Sequence, residues 1–338
     1  MGHHRPLASS GLTGLAAASW DRKDSELNIL ITGAGLVGCH IAQTLSERGH
    51  RAALYDVSPS EDYIRRVAGD LPVFRGDVRD LPALIETMQQ ERTDAVVHTA
   101  YVIGDRLAQR PYAGLGANIG GAIAVAEAAR LTGARRLIFA STFGVYRWGL
   151  QPTSPVTEDY PVVSNAFYRA SKLACEVILQ SYAGAYGLEV ATARFAQVYG
   201  FGHYTGGDLI GEVLHRLLET GLRGGPVEVD SQLFGSNDYV YARDVAQGVA
   251  LLCEKPLESK VYNLGSGALS KVEHVVEALR AALPGVEVRP VEGGSMNYTP
   301  DRAQPLSILR LQEETGYRSA YGLTEGMEDF ARELARNR

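Results

Sequence analysis

One run of small residues constrains this chain more than any other segment: Thr32-Gly33-Ala34-Gly35-Leu36-Val37-Gly38. It follows an apolar run, 28–32, and opens a stretch of helical spacing over Val37–Glu47. A G-x-G-x-x-G between strand and helix is a device for holding a pyrophosphate. Gly33 permits the tight turn, Gly35 lets the backbone approach the anion, and Gly38 lets helix and strand pack closely. The helix N-terminus adds unpaired N–H groups and the positive end of its dipole. The next apolar run, 51–56, ends in Asp56, and no Lys or Arg follows in Val57-Ser58-Pro59-Ser60. A carboxylate there accepts from both ribose hydroxyls and repels a 2′-phosphate, so the expected cofactor is NAD rather than NADP. The competing reading is a glycine-rich turn beside a solvated Asp.

Further apolar runs recur at 72–77, 95–100, 136–142 and 189–195, separated by helical spacing such as Ile119–Leu131 and Tyr168–Tyr186. Near-continuous apolar strands alternating with helices predict an α/β fold, a doubly wound parallel sheet of Rossmann type. Asp77, closing PVFRGD, is placed to meet an adenine amino group, and 98–100 put small residues where the dinucleotide crosses the sheet edge. His98 alone reads as a satisfied core histidine. After about residue 200 the alternation loosens, and 238–252 and 260–267 look like a return to the sheet. The expected organisation is an NAD-binding unit over 25–200, its sheet completed by 238–267, with a smaller substrate lobe from 201–237 and 268–338. The 268–338 stretch carries helix signals and no long strand pattern. Residues 1–24 are small, polar and aperiodic, a tag scar or a natural tail. With a formal net charge of −6 and no basic stripe, the chain has no electrostatic reason to bind nucleic acid. No apolar run approaches a membrane span. Cys39, Cys175 and Cys253 lack metal-ligand spacing and suit a reducing cytoplasm, and no metal is expected.

The sequence Tyr168-Arg169-Ala170-Ser171-Lys172 is Y-x-x-x-K in a helical stretch. Spacing i,i+4 puts both side chains on one helix face. A tyrosine hydroxyl is a poor base at neutral pH, and a neighbouring ammonium favours the phenolate, moving it toward the working range. The same ammonium can bind the nicotinamide ribose. Ser141 and Thr142, ending the fifth apolar run, are candidates to hold the reacting hydroxyl. A lysine stem snorkelling past a buried tyrosine is the structural alternative.

Taken in order, TGAGLVG (32–38), Asp56, GDV (76–78), HTA (98–100), Asn118, FASTFGVY (139–146), Tyr168/Lys172, RFAQVYG (194–200), DYVYARDVA (238–246) and YNLGSG (262–267) resemble the extended short-chain dehydrogenase/reductases. The likeness is to their NAD-dependent sugar epimerase/dehydratase branch and covers about 27–335. It implies Thr142, Tyr168 and Lys172 as the catalytic set. It implies cofactor contacts from Gly33, Gly35, Leu36, Val37, Gly38, Asp56, Asp77, Val78, Thr99, Ala100, Tyr101, Asn118, Ser141, Tyr168, Lys172, Gln197 and Val198. Substrate contacts fall to Ser141, Phe143, Tyr199, Arg289 and Arg302. It further implies a homodimer formed by the helices around Ile119–Leu131 and Ala166–Tyr182.

The departures narrow the chemistry. Dehydratases of this branch follow the threonine with Asp-Glu, the acids of water elimination, where this chain has Phe143-Gly144. The family Asn before V-Y-G is Gln197 and the Pro after it is Phe201. The Arg that precedes D-Y-V-Y and meets a nucleotide diphosphate is Asn237, so a smaller, unactivated sugar or sugar acid competes with a nucleotide sugar. The expected reaction is NAD-dependent oxidation of a sugar-like hydroxyl, epimerase-type through a transient ketone. Release of the ketone would make the chain a net dehydrogenase. An NAD-sensing regulator on the same fold would be expected to lose Tyr168 or Lys172, and both are present.

Overall fold

A computed structural model describes residues 26–202, 208–293 and 302–336; the 1–24 segment lies outside them. The chain opens with β1 (Asn28–Thr32), α1 (Leu36–Glu47), β2 (Arg51–Asp56), α2 (Glu61–Ala68), β3 (Val73–Arg75), α3 (Leu81–Gln90) and β4 (Ala95–His98). It continues through α4 (Gly104–Gln109), α5 (Pro111–Thr132), β5 (Arg136–Thr142), α6 (Phe167–Tyr186), β6 (Glu189–Phe195), β7 (Gln197–Tyr199), α7 (Leu209–Leu222) and β8 (Val227–Asp230). Then come β9 (Tyr239–Tyr241), α8 (Ala242–Glu254), β10 (Val261–Leu264), α9 (Val272–Ala282), β11 (Val288–Val291), α10 (Leu309–Thr315) and α11 (Leu323–Arg336).

Seven strands form one parallel sheet in the order β10-β6-β5-β4-β1-β2-β3. The chain winds outward from β1 to β3, then returns to β4 and winds the other way. Thr32 and His98 pair where the direction reverses, and the crevice outside those strand ends is where such sheets bind ligands. Helices cover both faces, which is why the strands read as unbroken apolar runs: all seven residues of β5 are buried. Ile29, Ile31, Leu54, Val97 and Ile138 enter the core on one face. Leu30, Ala53, Val96, Leu137 and Phe139 enter it on the other, the period-two alternation of strands.

Several details differ from the sequence expectation. β10 joins the sheet beside β6, with Val261 opposite Thr192. β9 does not; it pairs with β7 in a separate ribbon, Gln197 opposite Tyr239. The chain leaves the sheet here, for the Ala196 amide still donates to Leu264 whereas the Gln197 amide donates to Asp238. β11 is a strand the sequence did not announce. Its four residues include Pro290, a poor strand residue, and they pair in parallel with β8. That pairing joins the 201–237 and 268–338 segments. α5 begins at Pro111, well before Ile119; its first half is rich in glycine, whose weak helix propensity hides that half from the sequence pattern. The glycines serve packing instead: a Cβ at Gly121 would lie 2.7 Å from the Val78 side chain.

Candidate active site

The glycine loop is built as a cradle. Gly33 has φ +94°, and a Cβ there would fall 2.6 Å from the Ala100 nitrogen, so only glycine fits. A Cβ on Gly35 would meet nothing within 4 Å. The second glycine therefore faces open space, as a site for an approaching anion requires. Gly35 is also the N-cap of α1 and caps it with no side chain, which leaves first-turn N–H groups for a ligand. Gly38 packs against the Gly33 carbonyl. Leu36 and Val37 complete the first turn between them. Thr99 ties β4 to the loop, its hydroxyl donating to the Thr32 carbonyl at 2.8 Å. Asp56 does double service. One carboxylate oxygen accepts from the Ala34 amide at 2.8 Å and the other from Ser58 at 2.7 Å, so the acid ending β2 also shapes the loop. Asp77 is gripped by Arg79 at 2.5 Å, which holds its carboxyl below the usual range. These residues fit a dinucleotide.

Thr142 ends β5 and Tyr168 lies in the first turn of α6, and the two elements converge: a Cβ on Gly144, two residues after Thr142, would lie 3.1 Å from the side chain of Arg169, the neighbour of Tyr168. Thr142 Oγ1 accepts from the Gly144 amide at 3.1 Å, which fixes its rotamer. Lys172 lies one turn along, 3% exposed. Its ammonium donates to the Ala140 carbonyl and sits 3.5 Å from the centre of the Tyr101 ring. Tyr101 in turn meets Tyr168 edge-on, ring centres 5.9 Å apart, and donates to Ser171. The expectation that Lys172 lowers the Tyr168 pKa is corrected. Tyr168 is pushed up to about 12, first by burial and then by the Asp208 carboxylate, against the downward pull of Thr142 and Arg169. The lysine is 6.0 Å from the Tyr168 ring centre and is itself pushed down to about 7 by burial.

Other expected site residues point elsewhere. Ser141, next to Thr142 on a strand, necessarily faces the opposite way. Its hydroxyl donates to buried Glu176 on α6, which pairs with Arg194 at 2.7 Å. Asn118 clamps the backbone of Val102 at 2.7 and 2.9 Å, so it orders the loop after β4 rather than reaching a cofactor. Val78 packs on Gly121. Tyr199 is 1% exposed and donates to the Leu323 carbonyl, a core residue and not a substrate contact. Val198 packs partly buried against the core. Gln197 donates to Asp208 at 2.6 Å. Arg289 lies on β11, exposed and paired with Glu228, away from the site. His98 accepts or donates through Nδ1 to Thr32, but its buried Nε2 has no partner, so it is only half satisfied.

Arg302 lies against Phe143, the chain neighbour of Thr142. Its guanidinium lies 3.8 Å from the Phe143 ring centre and 4.2 Å from that of Trp148, and its Nε donates to Asn237 at 2.7 Å. Phe143, beside Thr142, thus joins the site as a stacking surface. The sequence did not single out Trp148, Arg169, Asp208 or Tyr239. Arg169 was visible only as a filler of Y-x-x-x-K. Asp208 stood only as a polar residue ahead of an apolar run, and it caps α7 through the Gly211 amide. A cavity of about 410 Å³ lies apart from this chemistry, against His40, Arg66, Arg243 and Glu333.

Comparison with known proteins settles the relationship. Residues 29–265 match the NAD dependent epimerase/dehydratase family. The chain belongs to that family. It is accordingly an NAD-dependent enzyme of epimerase type. A UDP-glucose 4-epimerase of Corynebacterium glutamicum is 30% identical over 276 residues, 75% of this chain and 80% of that protein. The crystal structure of Thermus thermophilus UDP-glucose 4-epimerase with NAD shares 29% identity with a TM-score of 0.75, covering 91% and 98% of the two chains. The Stenotrophomonas maltophila UDP-glucose 4-epimerase, with bound NAD and formylated UDP-arabinopyranose, shares 25% identity with a TM-score of 0.78, covering 93% and 100%.

Proposed function

We propose that this family member epimerises a sugar-like substrate by oxidising and re-reducing one carbinol, with Thr142, Tyr168 and Lys172 as its catalytic set. The observation that carries this is the convergence of the end of β5 on the first turn of α6: Gly144, just after Thr142, lies against Arg169, Tyr168 meets Tyr101 edge-on, and Lys172 is fixed on Tyr101 and the Ala140 carbonyl one turn away. Bound NAD supplies the two-electron acceptor and donor, and its oxidised form adds a positive charge that favours the Tyr168 phenolate. Gly33, Gly35, Gly38 and Asp56 hold it. Thr142 Oγ orients the reacting hydroxyl. Tyr168 Oη takes the hydroxyl proton as the carbon becomes a ketone, and returns a proton on reduction. Lys172 would hold ribose hydroxyls from its place on the Tyr101 ring. Phe143 and Gly144 offer no acid for water elimination, which favours epimerisation over dehydration.

A homodimer through α5 and α6 accompanies this reading. Ile123, Leu131, Phe167, Val177 and Tyr186 are apolar side chains left exposed on those two helices. Two such helices from each copy form a self-complementary four-helix contact about a two-fold axis. The three cysteines are free and buried, in keeping with a reducing, cytoplasmic setting. No described helix is long and apolar enough to cross a membrane.

The test is incubation with NAD and a panel of free sugars, sugar acids and UDP-sugars, recording reduced-cofactor absorbance and product stereochemistry together. Isomer without net reduction supports the proposal. Stoichiometric reduced cofactor means the ketone leaves and the enzyme is a net dehydrogenase.

A further inference from the structure

Three buried donors without partners meet beside the catalytic pair. Arg302 Nη1, Asn237 Nδ2 and Tyr239 Oη are each shut off from water, and none makes a hydrogen bond. They belong to one cluster. Arg302 Nε donates to the Asn237 amide oxygen at 2.7 Å, which turns the Asn237 nitrogen outward from that bond. Tyr239 stands two residues along the same extended segment, hence on the same face, and interacts with the Arg302 charge. Arg302 itself is 9% exposed and is held flat against Phe143 and Trp148. Phe143 is the chain neighbour of Thr142, and Arg169, neighbour of Tyr168, places a second guanidinium near the first.

A purely structural arginine would be expected to have its N–H groups satisfied, since buried donors in folded proteins nearly always find acceptors. Here the stack on two rings and the bond to Asn237 fix the guanidinium plane and leave one edge unspent. Burial and the neighbouring Arg169 charge push its pKa down to about 9, against the upward pull of the Asp238 carboxylate, which makes no hydrogen bond to the free edge. The remaining charges limit what can pair with that edge. Asp208 caps α7 and interacts with both Tyr168 and Tyr239 across the site. Asp238 has its oxygens taken by Ser266 and Leu306. Two guanidiniums facing two carboxylates leave little surplus for a doubly charged group. A single negative charge with two oxygens matches a free guanidinium edge flanked by two neutral donors.

Resting on the proposed oxidoreductive reading of the site, we propose that the substrate is a monoanionic sugar acid whose carboxylate is held by Arg302, Asn237 and Tyr239. The carboxylate then lies beside Phe143 while its hydroxyl-bearing carbon reaches Thr142 and Tyr168. Asn237 is part of the selectivity: a neutral donor there suits one charge, where a second arginine would suit a diphosphate. Arg302 is a specificity-determining residue, acting on affinity for the acid group and not on proton transfer.

The test compares D-glucuronate and D-galacturonate with D-glucose, D-galactose and UDP-glucose, each with NAD and full-length enzyme, measuring kcat/KM and binding separately. The expected result is a preference for a hexuronate over the matching hexose of at least about 10²-fold, as for a site built to satisfy a specific polar group. Arg302→Gln should cut that acid-to-neutral ratio by at least ~10-fold, chiefly through KM, and Asn237→Asp should weaken hexuronate binding by like-charge repulsion. Equal use of hexuronate and hexose by the wild type overturns the proposal without reference to any variant. So does UDP-glucose outperforming both acids, or an unchanged ratio in a folded Arg302→Gln enzyme. Failure of the catalytic reading itself looks different: Tyr168→Phe would then turn over the preferred acid as fast as wild type, with the Arg302 discrimination intact.

Discussion

The ammonium of Lys172 rests 3.5 Å from the centre of the Tyr101 ring, buried, with the Ala140 carbonyl as its hydrogen-bond acceptor. A cation over an aromatic face gains quadrupole attraction, but this one has lost its water, and its pKa falls from the ordinary 10.5 to about 7. Between pH 7 and 10.5 the unfolded chain carries a proton the native chain does not. Stability from this group therefore rises with pH through that window, and below pH 7 the native state bears the full burial cost. Lys172→Met should stabilise the fold by at least about 1 kcal/mol at pH 6, with the gain vanishing toward pH 10, while turnover is lost. Thermal melts at the two pH values check this. An equal gain at both would show that the charge is not the cause.

Asp208 gives a second handle on the same chemistry. Its carboxylate raises the Tyr168 pKa, so Asp208→Asn should move the acid limb of the kcat/KM profile, where the phenolate gains its proton, to lower pH. Asparagine still caps a helix, so α7 should hold. A limb that stays in place, or moves up, would remove Asp208 from the account.

Much of the candidate site is legible in the sequence, for reasons specific to its parts. Gly33, Gly35, Gly38 and Asp56 form a local device, all within one strand–helix–strand unit, and local spacing is what a sequence displays. Tyr168 and Lys172 share one helix face for the same reason. Thr142 and Ser141 could not be separated by type, and only the strand's alternation, which sends Ser141 to Glu176, divides them. Arg302 met Asn237 across 65 positions through a fold-level contact that no periodicity announces. The i,i+4 spacing brings Lys172 near Tyr168 but displays neither the burial nor the Asp208 carboxylate that raise the tyrosine pKa, nor the Ala140 carbonyl that binds the ammonium.

Cofactor selectivity rests on Asp56. NAD should bind more tightly than NADP by at least about 1–2 kcal/mol, because a 2′-phosphate would sit unpaired beside a carboxylate. Asp56→Asn should narrow that gap and also weaken NAD itself, since an amide oxygen cannot replace both acceptors serving Ala34 and Ser58. Calorimetry with both dinucleotides decides it, and equal dissociation constants for the wild type would contradict the assignment.

The proposed dimer depends on exposed apolar side chains along α5 and α6. Val177 is 62% exposed in the single chain, so Val177→Glu should cost little in a monomer and split a dimer. Light scattering at micromolar concentration should give twice the chain mass for wild type and the chain mass for the variant. Monomer mass for the wild type would leave α5 and α6 as simple covers of the sheet.

Turnover by Tyr168→Phe, measured on whichever substrate the wild type converts, tests the central claim most directly. The substitution deletes one oxygen and leaves volume nearly unchanged, so the melting temperature should be preserved. Loss of the proton acceptor should lower kcat by about 10²–10⁴-fold with NAD affinity unaltered. Wild-type kcat in a folded Tyr168→Phe enzyme would contradict the mechanism.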